Sequence, residues 1–201
     1  SVETNIATNV IGTSYTDNDW NSLEDGIYQY GVANTYAVNE KIYEEGFEGN
    51  TNWSMYYDGS GNNNWKTNWK IATTSGASFG NYGPYNGQQA AFFTSTYENL
   101  NCLSYLVSPQ FDFTEHNGST VKLSFYYRTP EWPDEPQCVN RLRVRIGTSP
   151  TGPWEETSLW SNNQVSVANW TKVEIDLSAY VNSTFYIAFE NATMAGHCSA
   201  V

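Results

Sequence analysis

The chain has 201 residues, enough for one domain with a full hydrophobic core plus a smaller piece. Nine Lys and Arg against 21 Asp and Glu give a net charge of −12, and no basic cluster relieves it. That argues against nucleic acid or an anionic membrane as partner, because both need cations to neutralise phosphate. Aromatic residues reach 16%, which argues against disorder; no apolar run approaches the roughly 20 residues of a membrane helix, and without a charged-then-apolar leader the chain is expected to be a mature, soluble segment.

Ala and Leu are sparse, Thr, Val, Tyr, Trp and Phe fill the apolar positions, and Gly-Asn-Ser-Pro clusters interrupt them at short intervals. That composition predicts an all-β chain. In the first forty residues, 12–17 read as a short strand, Leu23-Glu24-Asp25-Gly26-Ile27-Tyr28 precedes alternating Tyr30 and Val32, and a last strand lies near 34–38. The spacing Leu-x-x-Gly-x-Tyr resembles the tyrosine corner of a β-sandwich, and residues 1–40 are similar to the last three strands of a fibronectin type III domain. Three strands cannot bury both faces of a sandwich, so this piece is expected to be cut from a longer chain or to lean on a neighbour. A hairpin extension of one larger domain is the alternative.

Further along, strands are predicted at 89–94 and 103–107, and residues 121–128 place Val121, Leu123, Phe125 and Tyr127 on one face. Residues 141–146 alternate throughout, so Arg141, Arg143 and Arg145, a third of the positive charge, share an outer face where they are expected to neutralise acidic loops. Residues 170–177 and 184–190 repeat the pattern around a turn at 181–183. The architecture implied is an antiparallel sandwich or jelly roll of about eight to ten strands. Cys102, Cys138 and Cys198 have no CxxC spacing, which excludes a zinc ribbon; one disulfide plus one thiol is the secreted option, with Cys138–Cys198 favoured by their shared position before strands.

Beyond residue 40 the landmarks run in a specific order: Glu45-Gly46-Phe47-Glu48-Gly49, Trp53, Trp65, Trp69, Ser108-Pro109-Gln110-Phe111-Asp112, Leu123-Ser124-Phe125-Tyr126-Tyr127, Arg141-Leu142-Arg143-Val144, Trp154, Trp160, Trp170, Val173-Glu174-Ile175-Asp176-Leu177 and Phe185-Tyr186-Ile187-Ala188-Phe189. The series resembles the cleaved adhesin and choice-of-anchor J domains of secreted Bacteroidetes proteins, themselves similar to MAM domains, and assigns residues 41–201 to such a domain. The resemblance implies a galactose-binding-like jelly roll, usually with calcium, carried as a module of large surface adhesins and peptidases. The family's last strand would begin where the chain ends, so a domain cut before that strand is complete is expected. The implied calcium ligands are Glu48, at the family's Phe-Glu-Gly position, and Asn140, where the family carries an acidic residue; Asp58, in Asp-Gly-Ser-Gly-Asn, loosely resembles a calcium loop, although all three are also ordinary turn residues.

Saccharide recognition needs exposed aromatic faces beside amides and carboxylates. The candidates are Trp69 in the Asn-rich run 62–69, Tyr82 and Tyr85 in the loop 79–87, and Trp132 between acids and prolines in 131–136. Trp53, Trp65, Trp154, Trp160 and Trp170 are expected to pack internally. Catalysis finds little support: His116 and His197 are isolated, and HExxH and GxSxG are absent. The chain therefore reads as a non-catalytic adhesion or binding module, secreted or at the cell surface, for a glycan or a host or matrix protein, within a larger parent chain. A structural spacer or assembly module without a ligand of its own, or an accessory domain of a larger peptidase or glycoside hydrolase, is the competing reading.

Overall fold

The computed structural model describes residues 40–58, 69–75, 82–94, 103–131, 141–192 and 199–200, with isolated positions 16, 18, 22 and 24. The chain divides into two units, 1–42 and 43–201, and the described strands lie in the second. The fibronectin-like strands expected before residue 40, Trp65, Trp132, Asn140 and the three cysteines fall outside the described residues.

Eleven strands follow one another: β1 (Ser54–Asp58), β2 (Trp69–Ala72), β3 (Ala90–Thr94), β4 (Leu103–Val107), β5 (Phe111–Asp112), β6 (Lys122–Thr129), β7 (Arg141–Gly147), β8 (Trp160–Ser161), β9 (Val167–Asp176), β10 (Thr184–Ala192) and β11 (Ser199–Ala200). All their pairings are antiparallel, and the fold is an antiparallel β-sandwich of the jelly-roll class. One layer has the order β1-β4-β10-β7-β8, with β5 on the lower part of β10. The facing layer is made of β2-β3-β11 and the β6–β9 ribbon, with β11 lying against β6. No α-helix occurs among the described residues, and none there is long and apolar enough to cross a membrane.

Alternation explains the layering. On β7, Leu142, Val144 and Ile146 are buried while the intervening arginines stay on the outer side; on β10, Phe185 and Ile187 point the same way inward. They meet Leu123, Phe125, Val173 and Ile175 from the β6–β9 ribbon, closed at one end by Phe113, Val121, Leu177 and Val181. A second part of the core joins Leu106 and Leu142 to Trp69, Phe93 and Tyr127. Period-2 burial of this kind fixes register, because a slip of one residue would turn each apolar side chain to water.

Candidate functional site

The outer face of the β6–β9 ribbon carries an aromatic platform. Tyr126 pairs across the ribbon with Lys172, Ser124 with Glu174, and Lys122 with Asp176, so these side chains share the solvent side. Tyr85, from the loop ahead of β3, lies flat on Tyr126 with ring centroids 3.7 Å apart and planes 12° apart. Trp170 meets Tyr85 edge-on at 6.0 Å. Tyr85 is 52% exposed and Tyr126 40% exposed, so the pair keeps a broad aromatic surface in water. At the next position outward on β6, the Arg128 guanidinium sits 4.0 Å over the ring of Tyr82, a cation–π contact that fixes the start of the same loop.

The loop is held at both ends. Ser75, buried, accepts the Tyr82 N–H on its Oγ at 3.1 Å and donates its own N–H to the Tyr82 carbonyl at 3.0 Å. At the other end Glu48 Oε1 accepts the N–H groups of Gln88 at 2.7 Å and Gln89 at 3.1 Å. Gly87, just before them, has φ +74°, and a Cβ there would overlap Glu48 Oε1, so the clamp requires glycine at this position. Glu48 is aimed by its own turn. Glu45 accepts the Phe47 N–H on Oε1 at 2.5 Å and the Thr51 hydroxyl on Oε2 at 2.7 Å, and Phe47 packs edge-on against Trp53. The Glu-Gly-Phe-Glu-Gly segment thus sends its aromatic ring inward and its second carboxylate across to the loop.

Polar groups adjoin the rings. Lys172 Nζ donates to Glu174 Oε1 at 2.7 Å, a hydrogen bond that raises the Lys172 pKa and lowers that of Glu174. Asp176 accepts the Ser178 N–H at 2.8 Å, and its carboxyl is held below the usual range by hydrogen bonding to Ser178. The Tyr85 phenol is pushed up, first by hydrogen bonding to Tyr126 and then by desolvation, while Lys172 opposes the shift. The Tyr85 phenol therefore keeps its proton at ordinary pH.

Of the residues singled out in the sequence, Tyr82 and Tyr85 meet on this platform, and Trp170, expected in the core, is half-buried beside them. Trp69 departs from expectation: it is 5% exposed, packs against Phe93 and donates its indole N–H to the Ser104 carbonyl, so its ring faces the core and offers no surface to a ligand. Of the three metal-ligand candidates, Glu48 and the backbone of Asp58 are described and Asn140 is not. Glu48 serves the loop ahead of β3, whereas Asp58 ends β1 beside Tyr57, whose partner Ser104 lies under Trp69 at the far end of β2–β3. Among the described residues no three His, Cys, Asp or Glu gather as a metal would need. Tyr126 and Glu45 escaped the sequence reading; outward alternation on 121–128 was the available signal for Tyr126.

No family model and no curated protein sequence matches the chain, so the adhesin resemblance gains no support from that side. Among solved structures it is similar to the carbohydrate-binding module TmCBM61 in complex with β-1,4-galactotriose, with TM-score 0.44, 11% identity, and coverage of 74% of this chain and 83% of that one. It is also similar to a structure from a study of promiscuous carbohydrate-binding modules of the β-sandwich superfamily, at TM-score 0.46 and 12% identity, covering 76% of this chain and 55% of that one. The glycoside hydrolase domain of Endo-D from Streptococcus pneumoniae R6 matches at TM-score 0.44 and 18% identity, with 74% of this chain against 20% of that chain. These are loose likenesses of shape.

Proposed function

We propose that the chain is a non-catalytic carbohydrate-binding module of a secreted or cell-surface protein, and that the Tyr85–Tyr126 stack is its binding surface. The observation that carries the reading is an exposed stack of two parallel rings, Tyr85 on a loop fixed at both ends and Tyr126 on β6 beneath it. A sugar ring presents a face of C–H groups that complements the electron-rich face of an aromatic ring. Its hydroxyls are served by the phenols and by Ser124, Lys172 and Glu174 on the same side of the ribbon. A fixed platform also loses little conformational entropy on binding. A spacer would cover such rings against its own neighbours, and here they stand in water.

Calcium, which the family resemblance implies, would add to a loop that Glu48 Oε1 holds through two backbone amides. Thermal unfolding with added calcium and with EDTA tests the metal separately: a rise in melting temperature with calcium is expected if the ion binds, and no shift with either would contradict it.

Affinity electrophoresis against neutral plant and bacterial polysaccharides, followed by calorimetry on the best soluble ligand, tests the function. The account expects retardation by at least one neutral polysaccharide and an affinity loss of about tenfold, or 1.4 kcal/mol, in Tyr126→Ala. A chain retarded by none of them, or a variant that binds as well as the wild type, would contradict it.

A further inference from the structure

The opposite outer face, on the β1-β4-β10-β7-β8 sheet, carries a second constellation that the platform does not use. Cross-strand register sets out three rows there: Arg141, Ala192, Leu103, Asp58; then Arg143, Glu190, Tyr105, Tyr56; then Arg145, Ala188, Val107, Ser54. Over the middle row, between the sheet and the loop 151–156, lies a cavity of about 310 Å³, the lower end of the range for small-molecule sites. Tyr56, Tyr105 and Trp154 form its aromatic wall, with Tyr56 stacked on Tyr105 at 4.8 Å and Trp154 donating its indole N–H to the Tyr56 hydroxyl at 2.9 Å. Its floor holds Glu190, 1% exposed, which accepts from Arg143 Nε at 2.5 Å and from Arg145 Nε at 3.0 Å.

Among the described residues, direct pairing on this face leaves one guanidinium over. Three guanidinium groups in line meet one buried carboxylate, and Arg143 and Arg145 already share it. Arg141 is left over: its Nε is buried without a hydrogen-bond partner, and among the described residues no ion pair engages it. Burial and the neighbouring Arg143 both weaken its hold on the proton, with Glu190 opposing. In a chain with nine cations and a net charge of −12, an unpaired, half-buried guanidinium beside two others is a site prepared for an anion. A planar carboxylate is the group that fits its fork.

We propose that this face is a separate binding site for an acidic oligosaccharide, whose carboxylate pairs with Arg141 and whose neighbouring sugar ring seats in the cavity against Tyr56 and Trp154. Leu103, on the cavity wall, lies two strands from Arg141 in the same row, about 10 Å, which suits a ligand of more than one sugar unit. The direction is set as well. Glu155 and Glu156 line the opposite end of the cavity and repel a second acid there, so the uronate end lies toward Arg141 and a hydroxyl-bearing end toward the loop. The site goes beyond the platform and does not depend on it.

Calorimetry on the whole chain with three oligosaccharides that combine uronate and neutral sugar units tests the proposal: a hyaluronan tetrasaccharide, an unsulfated chondroitin tetrasaccharide and an aldotetraouronic acid. At least one is expected to bind, about tenfold more weakly to Arg141→Gln and to lose similar affinity when its carboxylates are methyl-esterified. Arg141→Gln is expected to unfold at the wild-type temperature or above, because it removes an unpaired charge, and Tyr126→Ala is expected to bind the uronate unchanged. Absence of binding by all three, binding indifferent to Arg141→Gln or to esterification, or binding lost in Tyr126→Ala would overturn the proposal. Loss of neutral-polysaccharide binding concerns the platform alone, so the two ideas fail separately.

Discussion

Trp69 and Tyr126 are both large aromatic residues on strands, and their surroundings give them opposite tasks. Trp69 fills the core against Phe93, so Trp69→Ala is expected to cost about 3–5 kcal/mol in urea unfolding, the range for emptying a buried aromatic site. Tyr126→Ala is expected to stay within about 0.5 kcal/mol of wild type while losing ligand, since its ring lies on the solvent side. The phenols add a pH signature. Tyr85 has a folded pKa raised above 10.0, so the folded state holds its proton longer than the unfolded chain does. Its contribution to stability is fully present below the unfolded value and is lost as pH rises through the folded one. Saccharide affinity is therefore expected to be flat from about pH 6 to 9 and to fall only above about pH 10, as calorimetry across that range would register; a fall near neutrality would mean that the phenols are not the groups that matter.

At the scale of elements, the loop carrying Tyr82 and Tyr85 depends on one glycine and one carboxylate from distant parts of the chain. Gly87→Ala forces a side chain into a left-handed position already occupied by Glu48. It is expected to cost about 1–2 kcal/mol and to expose the Gln88 and Gln89 amides to hydrogen exchange; unchanged protection of both would disprove the clamp. Alternation in the sequence was enough to place β6, β7, β9 and β10, because each is half-buried and must repeat with period 2. β9 begins at Val167, ahead of the expected Trp170, since its first residues are exposed and carry little apolar signal. β1, β2, β5 and β8 were not legible: they are short, and their pairing is set by neighbours far along the chain. Tyr85 was readable as a loop aromatic, but its partner Tyr126 was not, because a ring stack between residues so far apart in the chain leaves no local pattern. The arginines of β7 were expected to serve acidic loops; Arg145 does reach the backbone carbonyls of Glu155 and Glu156, but Arg143 and Arg145 also hold Glu190 on the adjacent strand, a pairing visible only in the register.

For the molecule as a whole, the sandwich gives two outer faces of different character on one rigid core. One has neutral stacked rings beside a paired Lys172–Glu174 strip; the other has a guanidinium row over a buried carboxylate. Glu190 ties the second face to the fold: Glu190→Ala would leave Arg143 and Arg145 partly buried and unpaired, and chemical unfolding is expected to show a loss of about 3 kcal/mol. A loss under about 0.5 kcal/mol, the level of an ordinary surface change, would mean that water already compensates those charges. The most direct test of saccharide recognition by the Tyr85–Tyr126 pair is an NMR titration of ring-labelled tyrosines with the neutral polysaccharide fragment that binds best. The account predicts shifts at Tyr85 and Tyr126, with Tyr56 and Tyr105 on the opposite face unmoved. Shifts confined to the other tyrosines, or to none, would contradict it.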